Sequence, residues 1–173
     1  IRRNKEDVLA QLPPKPRSVI PLKITNISEY TEAVNNFISW LYKRSPERVK
    51  GAEKAEALVK VGYLLRLVAE LKLPSVIKWV DNFLSETEEK LILFGVHKSV
   101  IKQLVWKYKN ICVKVDGSIT GRKRQLAIEK FVYDKHTRLL IGNMKAGGAY
   151  WSAKGINHLA FFELAWTPGL HTQ

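Results

Sequence analysis

The stretch Arg138–Gln173, RLLIGNMKAGGAYWSAKGINHLAFFELAWTPGLHTQ, decides how the chain folds. It opens on Leu139-Leu140-Ile141, an apolar run suited to a fully buried strand. The run breaks into Lys145-Ala146-Gly147-Gly148, a small-residue turn with a cation beside it. A second apolar run follows from His158 to Leu164, and the chain leaves through Trp166-Thr167-Pro168-Gly169. A strand, a Gly-rich loop and a short helical stretch before another strand is the grammar of a parallel βαβ unit. Ligands of such sheets gather at the carboxyl ends of the strands, where Lys145 to Gly148 would sit. Backbone amides in a loop without side chains can approach phosphate oxygens closely.

Working outward, the same grammar extends back to Glu89. Lys90–Val96 and Ile111–Val115 read as strands, and with Arg138–Ile141 and Leu159–Leu164 they make four. His97–Tyr108 reads as a helix burying Val100, Ile101, Leu104 and Val105. Gly121–Val132 reads as another, capped by Thr120 and burying Leu126, Ile128 and Phe131. Strands alternating with single helices imply right-handed crossovers and a parallel sheet.

Further upstream the period is helical. Asn26 with Glu29 forms a capping-box signature, and the helix it starts carries Tyr30, Val34, Phe37 and Leu41 on one face. A polar connector, Arg44–Gly51, leads to a helix over Ala52–Leu71, expected to stop at Leu73-Pro74. A third helix, Ser75–Leu84, would turn Val76, Trp79, Val80 and Phe83 into the core. Prolines at 13, 14, 16 and 21 exclude a helix from Ile1–Thr25 and favour an edge strand or extended arm. Three units are therefore expected: an arm over 1–25, a helical protrusion over 26–88, and an α/β lobe over 89–173.

A chain of 173 residues suits one domain, or a lobe with an appendage, and 46% hydrophobic residues with five tryptophans supports a core. The net charge is +13, and its placement says more than its size. Between Lys90 and Lys145 stand 13 basic and three acidic residues, so ten of the thirteen net charges fall there. A one-signed field suits a polyanion such as nucleic acid, whereas a merely solvated surface mixes its signs. Cys112 lies in an apolar run and reads as a buried strand thiol; one cysteine allows no internal disulfide, which fits a reducing compartment. No stretch reaches transmembrane length, and no membrane partner is expected. The first residue is Ile1 and the pattern starts midway, so we expect a piece of a longer protein.

Four clusters can carry chemistry. His97-Lys98 at a helix start could contact a phosphate or simply cap the helix, and the two readings stay level. Asp116-Gly117-Ser118 is a turn after a buried strand, and Gly121-Arg122-Lys123-Arg124 adds three cations to it. Lys145-Ala146-Gly147-Gly148 could cradle a phosphate or serve strand-to-helix packing. His97, His136, His158 and His171 lack ligand spacing, so no metal site is expected. There is no G-x-x-x-x-G-K-[ST] loop, no Asp-Glu pair for Mg²⁺ and no nucleophilic triad, so no catalytic residue is assigned.

In order, these clusters resemble the second RecA-like lobe of Swi2/Snf2-type DNA translocases. KLILFGVHK (Lys90–Lys98) resembles motif IV, and Asp116-Gly117-Ser118 with Arg124 and Phe131 resembles the family's Asp-Gly-Ser block. KAGG, a strand and ELAWTPG resemble motif V and its sequel, without gaps from Ala146 to Gln173; the Glu-Leu-x-Trp-x-Pro-Gly form is similar to the annealing-helicase (HARP-like) branch. The arm is similar to that branch at Arg2, Arg3, Lys5, Asp7, Val8, Leu9, Leu12, Pro13, Pro14 and Lys15. One departure is sharp: Tyr150-Trp151-Ser152 stands where the family usually reads Gly-Leu-Asn or Gly-Leu-Thr.

The resemblance implies a RecA-like parallel-sheet lobe cut before motif VI, with an N-terminal extended arm and a helical protrusion. It implies an ATP-dependent double-stranded DNA translocase or remodeller as the parent. A missing first RecA-like lobe would hold ATP and Mg²⁺, and this chain alone would hold neither and hydrolyse nothing. The nucleic-acid contacts it implies are His97, Lys98, Gly117, Ser118, Arg122, Lys123, Arg124, Lys145, Ala146, Gly147 and Gly148. Localisation would be intracellular: nuclear in a eukaryote, cytoplasmic or at the nucleoid for a bacterial, archaeal or phage protein. Self-association through an uncovered sheet surface is a further expectation. The alternatives are a stand-alone nucleic-acid-binding module and a scaffold lobe degenerate at motif V, which Tyr150-Trp151 brings into view.

Overall fold

The computed structural model describes residues 16–49, 57–144 and 155–164. Helices α1 (Ile27–Asn35) and α2 (Phe37–Arg44) and a 3-10 turn at Pro46–Arg48 precede a long helix α3 (Ala57–Glu86). Then come β1 (Leu91–Gly95), α4 (Lys98–Lys107), β2 (Cys112–Val115), α5 (Gly121–Tyr133), β3 (Leu139–Asn143) and β4 (His158–Phe161). The four strands form one sheet in the order β2-β3-β1-β4, and every pairing is parallel.

Alternation along the strands divides the core in two. Leu91, Leu93, Leu139 and Ile141 face Val100, Ile101 and Leu104 of α4 and Val76 and Val80 of α3. Ile92, Phe94, Leu140, Val113 and Val115 face Phe131 of α5 on the opposite side. Burial on both faces explains the unbroken apolar runs of β1 and β3. Gly142 sits where neighbouring strands press close: an added Cβ would lie 2.7 Å from the Phe94 ring and 2.9 Å from the Val115 carbonyl oxygen.

The sheet expected from the sequence is present, with the fourth strand ending at Phe161, short of Leu164. The helices need four corrections. The first predicted helix is two, because Asn36 leaves helical geometry (φ −127°, ψ 55°); Asn side chains compete for backbone partners and favour such breaks. The helices predicted on either side of Pro74 are one continuous α3. A mid-helix proline removes one ladder bond and crowds the preceding turn. Here the Leu71 carbonyl accepts both the N–H and the hydroxyl of Thr25 at 3.1 Å. Burial of Leu73, Val76 and Val80 on the sheet then holds the helix together through the proline.

Leu126, expected inside, is 53% exposed. It stands about 140° around the helix from Phe131, at 100° per residue, while Ala127 and Ile128 take the inward positions. Thr120 occupies the N-cap of α5, but its side chain makes no capping bond. Asn26 does cap: its Oδ1 accepts the Glu29 amide at 3.1 Å, and Glu29 Oε2 accepts from Asn26 Nδ2 at 3.3 Å, a side-chain version of the capping box.

α3 serves two cores. Leu67 and Leu71 join Ala33, Phe37, Trp40 and Leu41 of the helical part, while Ala69, Leu73, Val76 and Val80 join the sheet. Residues 22–25 lie against it, with Leu22 packed on the sheet core, Ile24 on the helical core, and Ser75 Oγ donating to the Lys23 carbonyl at 2.7 Å. The Ile1–Lys15 resemblance lies outside the described residues.

Gly142→Ala should lower stability by about 1–3 kcal/mol, because the Val115 carbonyl is backbone and cannot swing away. A urea melt measures it, and an unchanged midpoint would show that this packing is not as close as described.

Candidate nucleic-acid interface

Parallel register brings four strand ends to one edge. Gly95 pairs with Asn143, Val115 with Gly142, and Phe94 with Phe161, so the chain after each leaves on the same side. That edge gathers His97 and Lys98 after β1, Asp116–Ser118 after β2 and the start of α5. Asn143 joins two of these ends through a 2.7 Å bond from Nδ2 to the Val96 carbonyl. Lys145, Ala146, Gly147 and Gly148 lie outside the described residues, as do Tyr150-Trp151-Ser152.

The best-determined group at this edge is one that the sequence reading did not single out. Glu163, 6% exposed, accepts the Val96 amide at 2.8 Å and the His97 amide at 3.0 Å through Oε2. Its Oε1 pairs with His97 Nδ1. Burial by itself would push this carboxyl up, but the His97 ring and the two amides outweigh it and hold the group below the ordinary glutamate value. A buried carboxylate thus fills the place at the head of α4 where the sequence allowed a phosphate. His97 acts there as partner and cap residue, and Lys98 alone of the pair is exposed. The available signal was an acid closing the apolar run His158–Leu164, since a buried charge needs partners.

Neighbouring bonds fix the same corner. Phe162 donates its amide to the Phe94 carbonyl at 3.0 Å, and its own carbonyl accepts Lys72 Nζ at 3.1 Å. The Phe162 ring lies over Gly95, where an added Cβ would come within 1.9 Å of it.

After β2, Asp116 Oδ1 accepts the Ser118 amide at 2.9 Å and the Ser118 hydroxyl, and Lys114 Nζ pairs with Asp116 at 3.0 Å. Burial would raise the Asp116 carboxyl, but Ser118 and Lys114 together hold it below its ordinary value. The Ile119 amide is taken by the Asp116 carbonyl at 3.2 Å. Gly117 and Ser118 stand at the surface of this self-braced turn. Beyond it Gly121 takes φ +53°, a left-handed value that glycine adopts without strain, and Arg122 and Lys123 are exposed while Arg124 is half-buried. No acidic residue stands in the first turn of α5.

The basic third of the chain divides by use. Lys90 Nζ bonds the carbonyls of Phe131, Val132 (3.2 Å) and Asp134 (2.8 Å), closing the end of α5. Arg138 bonds the carbonyls of Leu84 (3.0 Å), Thr87 and Glu89 (3.3 Å), closing the end of α3. Cations at helix C-termini satisfy the last carbonyls and the dipole. Both serve the fold at the edge opposite the candidate site. Cys112 is an inert strand thiol, its Sγ near the Val105 carbonyl at 3.7 Å and its pKa pushed up to about 11 by burial.

Among the described residues no three His, Cys, Asp or Glu side chains cluster as for a metal ion. The edge carboxylates Asp116 and Glu163 are committed to internal partners, so they do not suit Mg²⁺. No helix of the described residues is long and apolar enough to cross a membrane.

No protein-family model matches the chain. Over 176 residues it is 28% identical to the human DNA annealing helicase and endonuclease ZRANB3, covering 98% of the chain and 16% of that protein. It is 28% identical over 178 residues to the Xenopus laevis SWI/SNF-related matrix-associated actin-dependent regulator of chromatin subfamily A-like protein 1, covering 100% and 18%. It is 24% identical over 165 residues to the Schizosaccharomyces pombe ATP-dependent helicase rhp16, covering 91% and 17%. The chain thus spans about a sixth of the length of these relatives. In fold it is similar to the Sulfolobus solfataricus SWI2/SNF2 ATPase C-terminal domain, at TM-score 0.57 and 15% identity, covering 79% of the chain and 66% of that one. It is also similar to the C-terminal part of the Fun30 ATPase domain, at 0.50 and 18%, covering 84% and 53%.

Glu163→Gln should cost about 1.5–3 kcal/mol, the worth of hydrogen bonds to a charged group. The folded carboxyl lies below its unfolded value of about 4.3, so its contribution is complete above that pH and is lost as pH falls through the folded value. Urea midpoints measured from neutral pH to about pH 3 should therefore fall more steeply for the parent than for E163Q. Parallel curves would remove the carboxylate from this account.

Proposed function

The chain is a C-terminal RecA-like lobe of the Swi2/Snf2 helicase type, near the annealing-helicase branch, and on that premise we propose that it grips the phosphates of duplex DNA. The observation that carries the reading is the exposure of Lys98 after β1, and of Arg122 and Lys123 after the Asp116–Ser118 turn, at the carboxyl edge of a parallel sheet. Those cations have no acidic residue in the first turn of either helix they open. They can meet phosphates without being neutralised locally, a contact that positions DNA without reading its sequence.

The contact on this proposal comprises Lys98, Gly117, Ser118, Arg122, Lys123 and Arg124, with Lys145, Ala146, Gly147 and Gly148 beside them. His97 contributes by holding the head of α4 in place. The units 1–25, 26–88 and 89–173 act as arm, protrusion and lobe. A first RecA-like lobe outside this chain binds ATP and Mg²⁺ and closes on it, so the chain alone turns over no nucleotide. The parent is a DNA-dependent ATPase working where DNA is: the nucleus in a eukaryote, the cytoplasm or nucleoid in a bacterium, archaeon or phage-infected cell. Leu159 on the outer strand and Leu164 just beyond it, 50% and 71% exposed, support self-association of the lobe.

Arg122→Ala with Lys123→Ala should reduce the slope of log affinity against log salt by about two ions and weaken every duplex sequence alike. Fluorescence anisotropy with a labelled duplex, over a salt series, reads both. Binding that matches the parent at low and moderate salt, in a variant that melts normally, would sink the assignment.

A further inference from the structure

Trp106 is 76% exposed, whereas Trp40 is buried and Trp79 packs half-buried on the sheet core. A single exposed apolar side chain is ordinary, so exposure alone decides nothing. The surroundings of this one are not ordinary. From Val96 to Val115 there are five lysines and no acidic residue. Lys102 and Gln103, four and three residues before Trp106, are exposed on the same side of α4, and Lys109 and Asn110 are exposed just beyond its end. The inward positions Val100, Ile101 and Leu104 are filled by core contacts, so this strip is the helix's solvent face.

Lys107 pairs with Asp81 at 3.3 Å, and Asp81 also accepts the Tyr108 hydroxyl at 2.8 Å, so the nearest carboxylate is engaged. The result is an aromatic plane standing in a field of one sign. A base can stack on such a plane only if its face is free, which a paired duplex does not allow. Lysines on either side suit the phosphates that flank a stacked base.

From this geometry we propose that the outer face of α4 binds single-stranded DNA, with one base stacked on Trp106 and Lys102 and Lys109 on adjacent phosphates. The strip runs about 12 Å along the helix from Lys98 to Trp106, room for a short run of nucleotides. Its upper end therefore meets the carboxyl edge while its stacking plane lies toward the opposite edge. A strand leaving the duplex contact has this face to follow. The strip shares only Lys98 with the duplex contact, and neither the stacked base nor its flanking phosphates are placed on Lys98, so the test at Trp106 and Lys102 can fail without the duplex assignment failing.

The test compares the 173-residue chain with Trp106→Ala, Trp106→Phe and Lys102→Ala, using a labelled oligothymidylate longer than a typical ~4–16 nucleotide site. Trp106→Ala should weaken single-strand binding about tenfold and leave duplex affinity unchanged, Trp106→Phe should retain most of the affinity, and Lys102→Ala should lower the salt slope by about one ion. The parent's tryptophan emission should be quenched on adding oligothymidylate, and Trp106→Phe should remove that quench. The core residues of α4 are untouched in all three, and a thermal melt checks that they fold alike. Single-strand binding by Trp106→Ala equal to the parent's would overturn the proposal, as would an equal loss on duplex and single strand. A quench that persists in Trp106→Phe would overturn the stacking role.

Discussion

The bond set around Glu163 is the constraint on which the lobe's working edge depends. One buried carboxylate joins the exit of β4 to the last residues of β1 and the first of α4. A carboxylate brought out of water is costly unless it is fully partnered, and here two amides and an imidazole partner it. The His97 amide in turn sits at the N-cap of α4, where the unsatisfied donors of a helix head favour a negative charge, and the Val96 amide lies just before it. Each side therefore needs the other, and the outer strand is held where its own burial would hold it weakly. Lys72 and the Phe162 ring over Gly95 add to the same corner, so β4, β1, α3 and α4 meet there as one piece.

That corner changes what the basic stretch can do. A count of charges treats Lys90, Lys98, Arg122 and Arg138 alike, yet their surroundings differ in kind. Lys90 and Arg138 spend their donors on the last carbonyls of α5 and α3, and burial lowers the Lys90 pKa despite the opposing pull of Asp134. Lys98, Arg122 and Lys123 lie in solvent at the other end of the strands. Separation of structural cations from exposed ones, along the strand direction, gives the lobe an electrostatic polarity that the net charge does not express.

The long helix shows a related division of labour. Its N-terminal half belongs to a small helical core, laced on the outside by Arg44 to Glu29 at 2.6 Å and by Arg66 to Glu70 at 3.0 Å, and its C-terminal half covers the sheet. Pro74 stands near the changeover, where the extended segment 22–25 crosses and supplies hydrogen bonds. The helical part and the sheet are thereby connected through one stiff rod and one crossing strand of chain.

The sequence by itself determined the parallel sheet, its four strands and the inward faces of α4. Apolar runs of strand length and helical spacing are local signals, and burial on both faces leaves a clear trace in composition. It also determined that Val76, Trp79, Val80 and Phe83 are core and that Cys112 is inert. Tertiary structure alone decided the rest, because those outcomes hang on partners distant in the chain. Packing on the sheet carries α3 through a proline that local rules read as a stop. Glu163, 66 residues from His97, takes the helix head that a phosphate was allowed to share. The end carbonyls of two helices claim Lys90 and Arg138. A residue's type fixes which bonds it can make, but the fold fixes which partner arrives first. That is why the strands were legible in the sequence and the partners of Glu163 were not.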